Sequence, residues 1–230
     1  MTMRGPALYA ACALASVALA GCGPAGGETD AEQVAAAPAS GSAAPSFDCG
    51  SADDKAAAAV CAIPDLALLD TEVHRLYALA ESGTYGTVER LEELAAMQRR
   101  WLERRDACGE GQDIEACLFG RYAMRIHELR QGFADARSQD ARGISHGPLA
   151  LACDGADYGV SLTYFDAVPA AFLQWEAETR TLRRSAGGEP VYRAGSGEDA
   201  VSLTFMPERK TARFTPPGEA EMSCTIEEIG

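Results

Sequence analysis

Cysteine is the residue type with the most to say about chemistry in this chain. Apart from Cys12 and Cys22, six cysteines remain: Cys49, Cys61, Cys108, Cys117, Cys153 and Cys224. Thiolates can hold zinc, but structural zinc sites draw on closely spaced pairs such as Cys-x-x-Cys. No such pair occurs, and none of His74, His127 or His146 lies close in sequence to a Cys pair. The spacing therefore points to disulfides rather than to metal. The three histidines also carry no catalytic signature. Neither Gly-x-Ser-x-Gly nor His-Glu-x-x-His is present, so neither a serine hydrolase nor a zinc protease is indicated. The expectation is a chain that is not an enzyme, with no metal and no cofactor.

The opening residues explain why disulfides are plausible. Met1 to Gly5 carries one positive charge, Arg4, and Ala7 to Ala20 is a short apolar run. A basic start, a short apolar stretch and small residues before a cut describe a secretory signal, here residues 1–21. The closing Leu19-Ala20-Gly21-Cys22 resembles the lipobox of bacterial lipoproteins. That resemblance implies an acylated Cys22 as the mature N-terminus, membrane attachment through lipid alone, and a periplasmic-facing place in the envelope. Gly23, where inner-membrane lipoproteins tend to carry Asp, favours the outer membrane. Residues 22–46 are rich in Ala, Gly, Ser and Pro and read as a flexible tether. Disulfides persist in such an exported setting.

Charge narrows the partners. The full chain carries −14, and removing a signal that holds Arg4 and no acid leaves −15. So acidic a protein does not bind nucleic acid through phosphates. It attracts basic proteins and speeds their encounter.

The elements that must position the cysteines fall into an α+β arrangement of two domains. Residues 47–137 read as an antiparallel helical bundle. Ser51 to Asp54 caps a short helix ending near Cys61. Pro64 opens a second, with Leu66, Leu69, Val73, Leu76 and Ala80 at helical steps before Gly83. A third runs from about Thr87 to Ala107 with Leu91, Leu94, Gln98, Trp101 and Leu102 on one stripe. Its other face carries Arg99, Arg100, Arg104 and Arg105, read as a solvated face paired with Glu103 and nearby acids. A fourth follows Asp113, with Ile114, Leu118, Tyr122, Ile126, Leu129 and Phe133 aligned. Residues 138–148 read as a linker. From Leu149 to the end the period becomes two, in about eight short runs separated by Gly, Pro and Asp, which indicates a small antiparallel barrel or sandwich. Cys153 sits in its first strand and Cys224 in its last. A bridge between them closes a loop of about 70 residues and contributes roughly 4 kcal/mol in the chain-entropy account. The other four cysteines allow three pairings. Cys49–Cys61 with Cys108–Cys117 is the local option, and Cys49–Cys108 with Cys61–Cys117 is its cross-linked rival.

Two resemblances add expectations. Phe47-Asp-Cys49, Val60-Cys61-Ala, Pro64-Asp-Leu, Gln98 to Cys108, Cys117-Leu118 and Tyr122 to Leu129 resemble the helical domain of the lysozyme-inhibitor lipoprotein LprI family. Leu151 to Gly155, Val160 to Tyr164, Thr181-Leu182, Tyr192, Thr204-Phe205, Ala212 and Cys224 resemble the membrane-bound inhibitors of c-type lysozyme, the MliC family. The second resemblance implies an eight-stranded barrel with a Cys near each end. It also implies two loops that enter the lysozyme cleft, where a Ser and a Lys meet the catalytic carboxylates. This chain departs there. Gly187-Gly-Glu-Pro-Val precedes Tyr192, with Ser185 too early and Ser196 too late, and Glu208 falls where the family Lys stands. Tyr192, Arg209 and Lys210 are the binding candidates that remain beside those loops. The implied function is capture of a basic lysozyme-type muramidase by plugging its cleft. The alternative is a non-inhibitory envelope lipoprotein that binds wall material or another envelope protein.

Overall fold

Side-chain caps set the starts of the helices. The structure, a computed structural model, describes residues 43–137, 142–184 and 190–229. Helix α1 (Lys55–Ala62) begins where the Asp54 carboxylate accepts from Ala57 N at 2.8 Å. Helix α2 (Pro64–Ser82) has Pro in its first turn, where no amide hydrogen is needed. The Thr87 hydroxyl caps α3 (Val88–Asp106) and the Asp113 carboxylate caps α4 (Ile114–Gly132). The expected α2 stripe, Leu66, Leu69, Val73, Leu76 and Ala80, is buried throughout. It meets Leu118, Tyr122, Ile126 and Leu129 of α4 and Leu94 and Trp101 of α3 in a single apolar cluster. Cys49–Cys61 and Cys108–Cys117 are bonded, the local pairing. The first staples the incoming segment to the end of α1. The second ties the turn after α3 to the first turn of α4.

The C-terminal half is a closed antiparallel barrel in simple sequence order, β1 to β8, with β8 pairing back onto β1. Its strands are β1 (Ser145–Cys153), β2 (Val160–Phe165), β3 (Ala170–Trp175), β4 (Glu178–Arg184), β5 (Val191–Ala194), β6 (Val201–Phe205), β7 (Thr211–Thr215) and β8 (Met222–Glu228). Closure gives every strand a partner on both sides, with β4 and β5 joined over only two residue pairs among the described residues. Cys153 stands directly opposite Cys224 in the β1–β8 register, and the two are bonded. Because neighbouring strands alternate in direction, that disulfide lies at one end of the barrel and the β6–β7 hairpin at the other.

The fold is thus α+β, with helices first and the barrel second. The two halves are less separate than the sequence suggests. The stretch read as a linker is strand from Ser145 onward, and the described residues form one compact unit. Strand β3 explains why. Its Ala171, Leu173 and Trp175 point into the barrel, while Ala170 and Phe172 join the helical cluster with Phe165 and Val168. A strand buried on both faces reads as a continuous apolar run, as Ala-Ala-Phe-Leu does here. Helix α4 lies along β1, β3 and β4 and covers that side of the barrel.

Candidate functional site

The barrel end away from the disulfide gathers the residues that the sequence singled out. Strand β6 leads through Phe205 and Met206 into a tight turn, Pro207–Arg209, before Lys210 and β7. Two non-glycine residues, Glu208 (φ 65°) and Arg209 (φ 51°), take left-handed conformations there. Such conformations cost about 1–3 kcal/mol each and persist only where the surroundings hold them. The holding contacts are visible. Arg209 N donates to Met206 O at 3.0 Å, and Ile226 N of β8 donates to Lys210 O at 2.9 Å.

The Arg209 side chain leans back over its own sheet while remaining 42 % exposed. Its guanidinium pairs with Asp166 Oδ1 at 2.8 Å and lies 4.6 Å from the centre of the Tyr164 ring. His146 completes the cluster. Its ring stacks on Tyr164 at 4.7 Å, and its Nε2 meets the other Asp166 oxygen. Burial alone would raise the Asp166 pKa, but the hydrogen bonds from Arg209 and His146 outweigh it and hold the carboxyl below its ordinary value. Burial likewise opposes the charge on Arg209, and its bond to Asp166 nevertheless raises its pKa. The cluster can clamp a hairpin to β2. It brings no nucleophile to the imidazole.

Lys210 differs. Its side chain is 80 % exposed and its only carboxylate partner among the described residues is Glu208, 73 % exposed, at 3.0 Å. Tyr192 differs again. Only 5 % exposed, it points into the barrel with its ring edge-on to Phe205, 5.5 Å between centres. Of the three sequence candidates, Arg209 and Lys210 share one hairpin, and Tyr192 packs beneath it as a core residue. The loop expected to carry the family Ser includes residues 185–189, which lie outside the described residues. So do the signal, Cys22 and the tether before residue 43.

Sequence reading missed Asp166 and the role of His146. Asp166 lies 43 residues from Arg209 and follows β2 as an ordinary loop acid, so no local pattern marks it. A second concavity, about 790 Å³, lies in the helical half beside Asp70, His74, Tyr77 and Trp101. Asp70 is only 4 % exposed there, but its oxygens are taken by Ser46 N, Ser46 Oγ and Tyr122 Oη. Trp101 is core, as its stripe suggests, with Nε1 donating to Arg121 O at 3.0 Å. Within the basic cluster, Arg105 pairs with Asp106 rather than with Glu103.

Among the described residues no group of His, Cys, Asp and Glu is arranged to hold a metal ion. No helix among them is long and apolar enough to cross a membrane. No protein-family model, curated protein or solved structure matches the chain.

Proposed function

We propose that this chain is an exported, lipid-tethered binding protein of the bacterial envelope that captures a basic muramidase of the lysozyme type and does no chemistry of its own. The observation that supports it most is the closed eight-stranded barrel with its first and last strands joined by Cys153–Cys224, the architecture that the second resemblance implies. The chain's net charge of −14 adds long-range attraction toward a cationic enzyme.

The site geometry favours Lys210 as the residue that would make the contact. Tyr192 is buried and reaches no partner without rearrangement, while Arg209, 42 % exposed, is already engaged by Asp166 and Tyr164. Lys210 is at the surface. An exposed ion pair such as Lys210–Glu208 contributes about 0–1 kcal/mol. Giving up Glu208 for a muramidase carboxylate therefore costs little in itself, and the net gain depends on how fully the cleft's other donors and acceptors offset the desolvation of both charges. The test is inhibition of hen-type lysozyme by the purified chain, at low and at physiological salt. Expected are slower turnover by the enzyme, weaker inhibition as salt rises, and roughly tenfold weaker inhibition by Lys210→Glu.

A second reading is a non-inhibitory envelope protein that binds wall material or another envelope component. The charge-balanced hairpin tip favours it, because Glu208 faces outward beside Lys210 and a carboxylate is repelled by the paired acids of a glycosidase cleft. Lysozyme left fully active by micromolar protein, with peptidoglycan recovered in a pull-down, would select this reading and discard the first.

A further inference from the structure

Strands β5 to β7 carry a local excess of positive charge on an acidic protein. Inward positions are taken by Tyr192, Leu203 and Phe214, so Arg193, Ser202, Thr204 and Arg213 face outward. They border a groove of about 730 Å³ that is also lined by Arg184 and Arg209. Among the described residues the groove's carboxylates are Glu208 and Glu221. Among the described lining residues, four guanidinium groups, one of them paired with Asp166, face two carboxylates, against a chain-wide balance of 34 acids to 20 bases. Salt screens beyond about 8–10 Å, so an incoming anion responds to this patch more than to remote acids.

The four groove cations differ in how they are engaged. Arg213 meets Glu221 at 3.6 Å with both side chains more than half exposed. Arg209 is committed to Asp166. Among the described residues, Arg184 and Arg193 have no carboxylate partner. Register fixes how the two outward arginines sit. Arg193 is opposite Ser202, and Arg213 is opposite Thr204, on either side of β6. With strands about 4.8 Å apart and a rise of about 3.3 Å per residue, their Cα atoms are roughly 12 Å apart on a diagonal. The hydroxyl-bearing Ser202 and Thr204 lie between them. Two separated guanidinium groups with hydroxyls between suit a linear chain with spaced anionic groups, not a single small anion. Arg pairs such groups through its planar fork of donors, and the intervening Ser and Thr can exchange hydrogen bonds with sugar hydroxyls.

We propose that this groove binds an acidic polysaccharide strand laid diagonally across β6, with Arg193 and Arg213 each pairing with a carboxylate or phosphate. The groove ends at the hairpin, where Glu208 lines it and pairs with Lys210, but Arg193 and Arg213 lie on the strands beyond and have no part in the proposed muramidase capture. A protein holding such a strand is stationed where the wall is cut.

The test is binding of the purified chain to oligogalacturonate and to polyglycerol phosphate, with dextran as the uncharged control and polyglutamate as the acidic-polypeptide control. Expected is binding to one or both anionic glycopolymers that weakens with salt, none to dextran, and a loss of roughly tenfold or more in Arg193→Glu/Arg213→Glu. Both positions are exposed, so this variant should keep its circular dichroism and unfolding midpoint. A charge-matched reversal on α3, Arg99→Glu/Arg100→Glu, should keep the affinity. Equal loss in both variants reduces the binding to nonspecific charge and overturns the proposal. So does absence of glycopolymer binding, or a preference for polyglutamate, which would assign the face to an acidic protein. Lysozyme inhibition measured on the same variants separates this site from the hairpin, since its failure leaves the glycopolymer result standing.

Discussion

The seam between helices and barrel and the hairpin end of the barrel use the same residue types under opposite conditions. At the seam, Glu72 is 2 % exposed and Arg130 and His127 are at most 1 % exposed. Glu72 accepts from Arg75 Nε and Nη2, both at 2.8 Å, and from the Ser145 hydroxyl. Arg130 donates to the Gly147 carbonyl and, at 3.3 Å, to those of Ala136 and Arg137. Burial opposes the charge on Arg130 and lowers its pKa to about 10, against the attraction of Glu72. At the hairpin, Lys210 and Glu208 make one contact in water. An ion pair gains strength from a dry setting only when every remaining donor and acceptor is also matched. The seam meets that condition and the hairpin does not need to. One region holds the molecule together, and the other is free to change partners.

The largest expected effect comes from breaking the seam. Glu72→Gln keeps the shape but removes the charge that balances buried Arg130 and Arg75. Losing one member of a buried charged network typically costs about 3–5 kcal/mol. Chemical denaturation should show this as a lower midpoint. Because Phe165, Val168, Ala170 and Phe172 sit in the helical cluster, helix and barrel signals should unfold together in the parent protein. Two separate transitions in the parent would mean that the shared core is not cooperative, and that the seam is only a contact between independent domains.

An intermediate effect is carried by His127. Its ring lies between Thr163 Oγ1 at 2.9 Å and Gln174 Oε1 at 3.1 Å, joining α4 to β2 and β3. Burial pushes its pKa down to about 4, with partial opposition from the bond to Gln174. In the unfolded chain the group titrates near 6.5. The unfolded state therefore binds the extra proton first. Stability from this group is full above about pH 6.5, declines as pH falls, and is gone below about 4, a total on the order of 3 kcal/mol. His127→Gln should flatten the fall in unfolding free energy between those limits. An unchanged slope would mean that the ring is not kept neutral at the seam.

How much of this was legible depends on whether the signal is local. The α2 stripe repeats at helical steps, and all five of its members are buried. Asp54, Thr87 and Asp113 stand just before their helices, where caps stand, and each side chain accepts a backbone amide. Cys153 and Cys224 lie in the first and last runs of a period-two series, and closure of the barrel brings them together. The seam was not legible. Glu72, Arg130 and His127 look like ordinary surface residues of amphipathic helices, and only a docked barrel turns them inward. The fate of Arg209 was hidden for the same reason. Its place beside a family loop suggested a contact residue, while its partner Asp166 arrives through the curvature of the closed sheet. Tyr192 stands beside a loop motif, and that position does not reveal that its strand turns it inward.

The smallest effect sharpens the comparison from the hairpin side. Asp166→Asn removes the charged partner of Arg209 while leaving a side chain that still accepts a hydrogen bond. The pair is about half exposed on both sides, 42 % and 52 %, so water compensates most of what is lost. Stability should fall by less than about 1 kcal/mol, within the range for surface ion pairs. The informative change is conformational. With the charge gone, Arg209 keeps a weaker, neutral hydrogen bond to residue 166 and its ring contacts with Tyr164 and Phe205, which contribute about 0.5–1 kcal/mol at an exposed site. Backbone amide exchange in Met206 to Lys210 should quicken while exchange in β3 and α4 stays as it was. If Asp166→Asn instead destabilised the protein as strongly as Glu72→Gln, the clamp would belong with the buried network. The hairpin would then be a structural strut, and a role for its cations in meeting a partner would lose its physical basis.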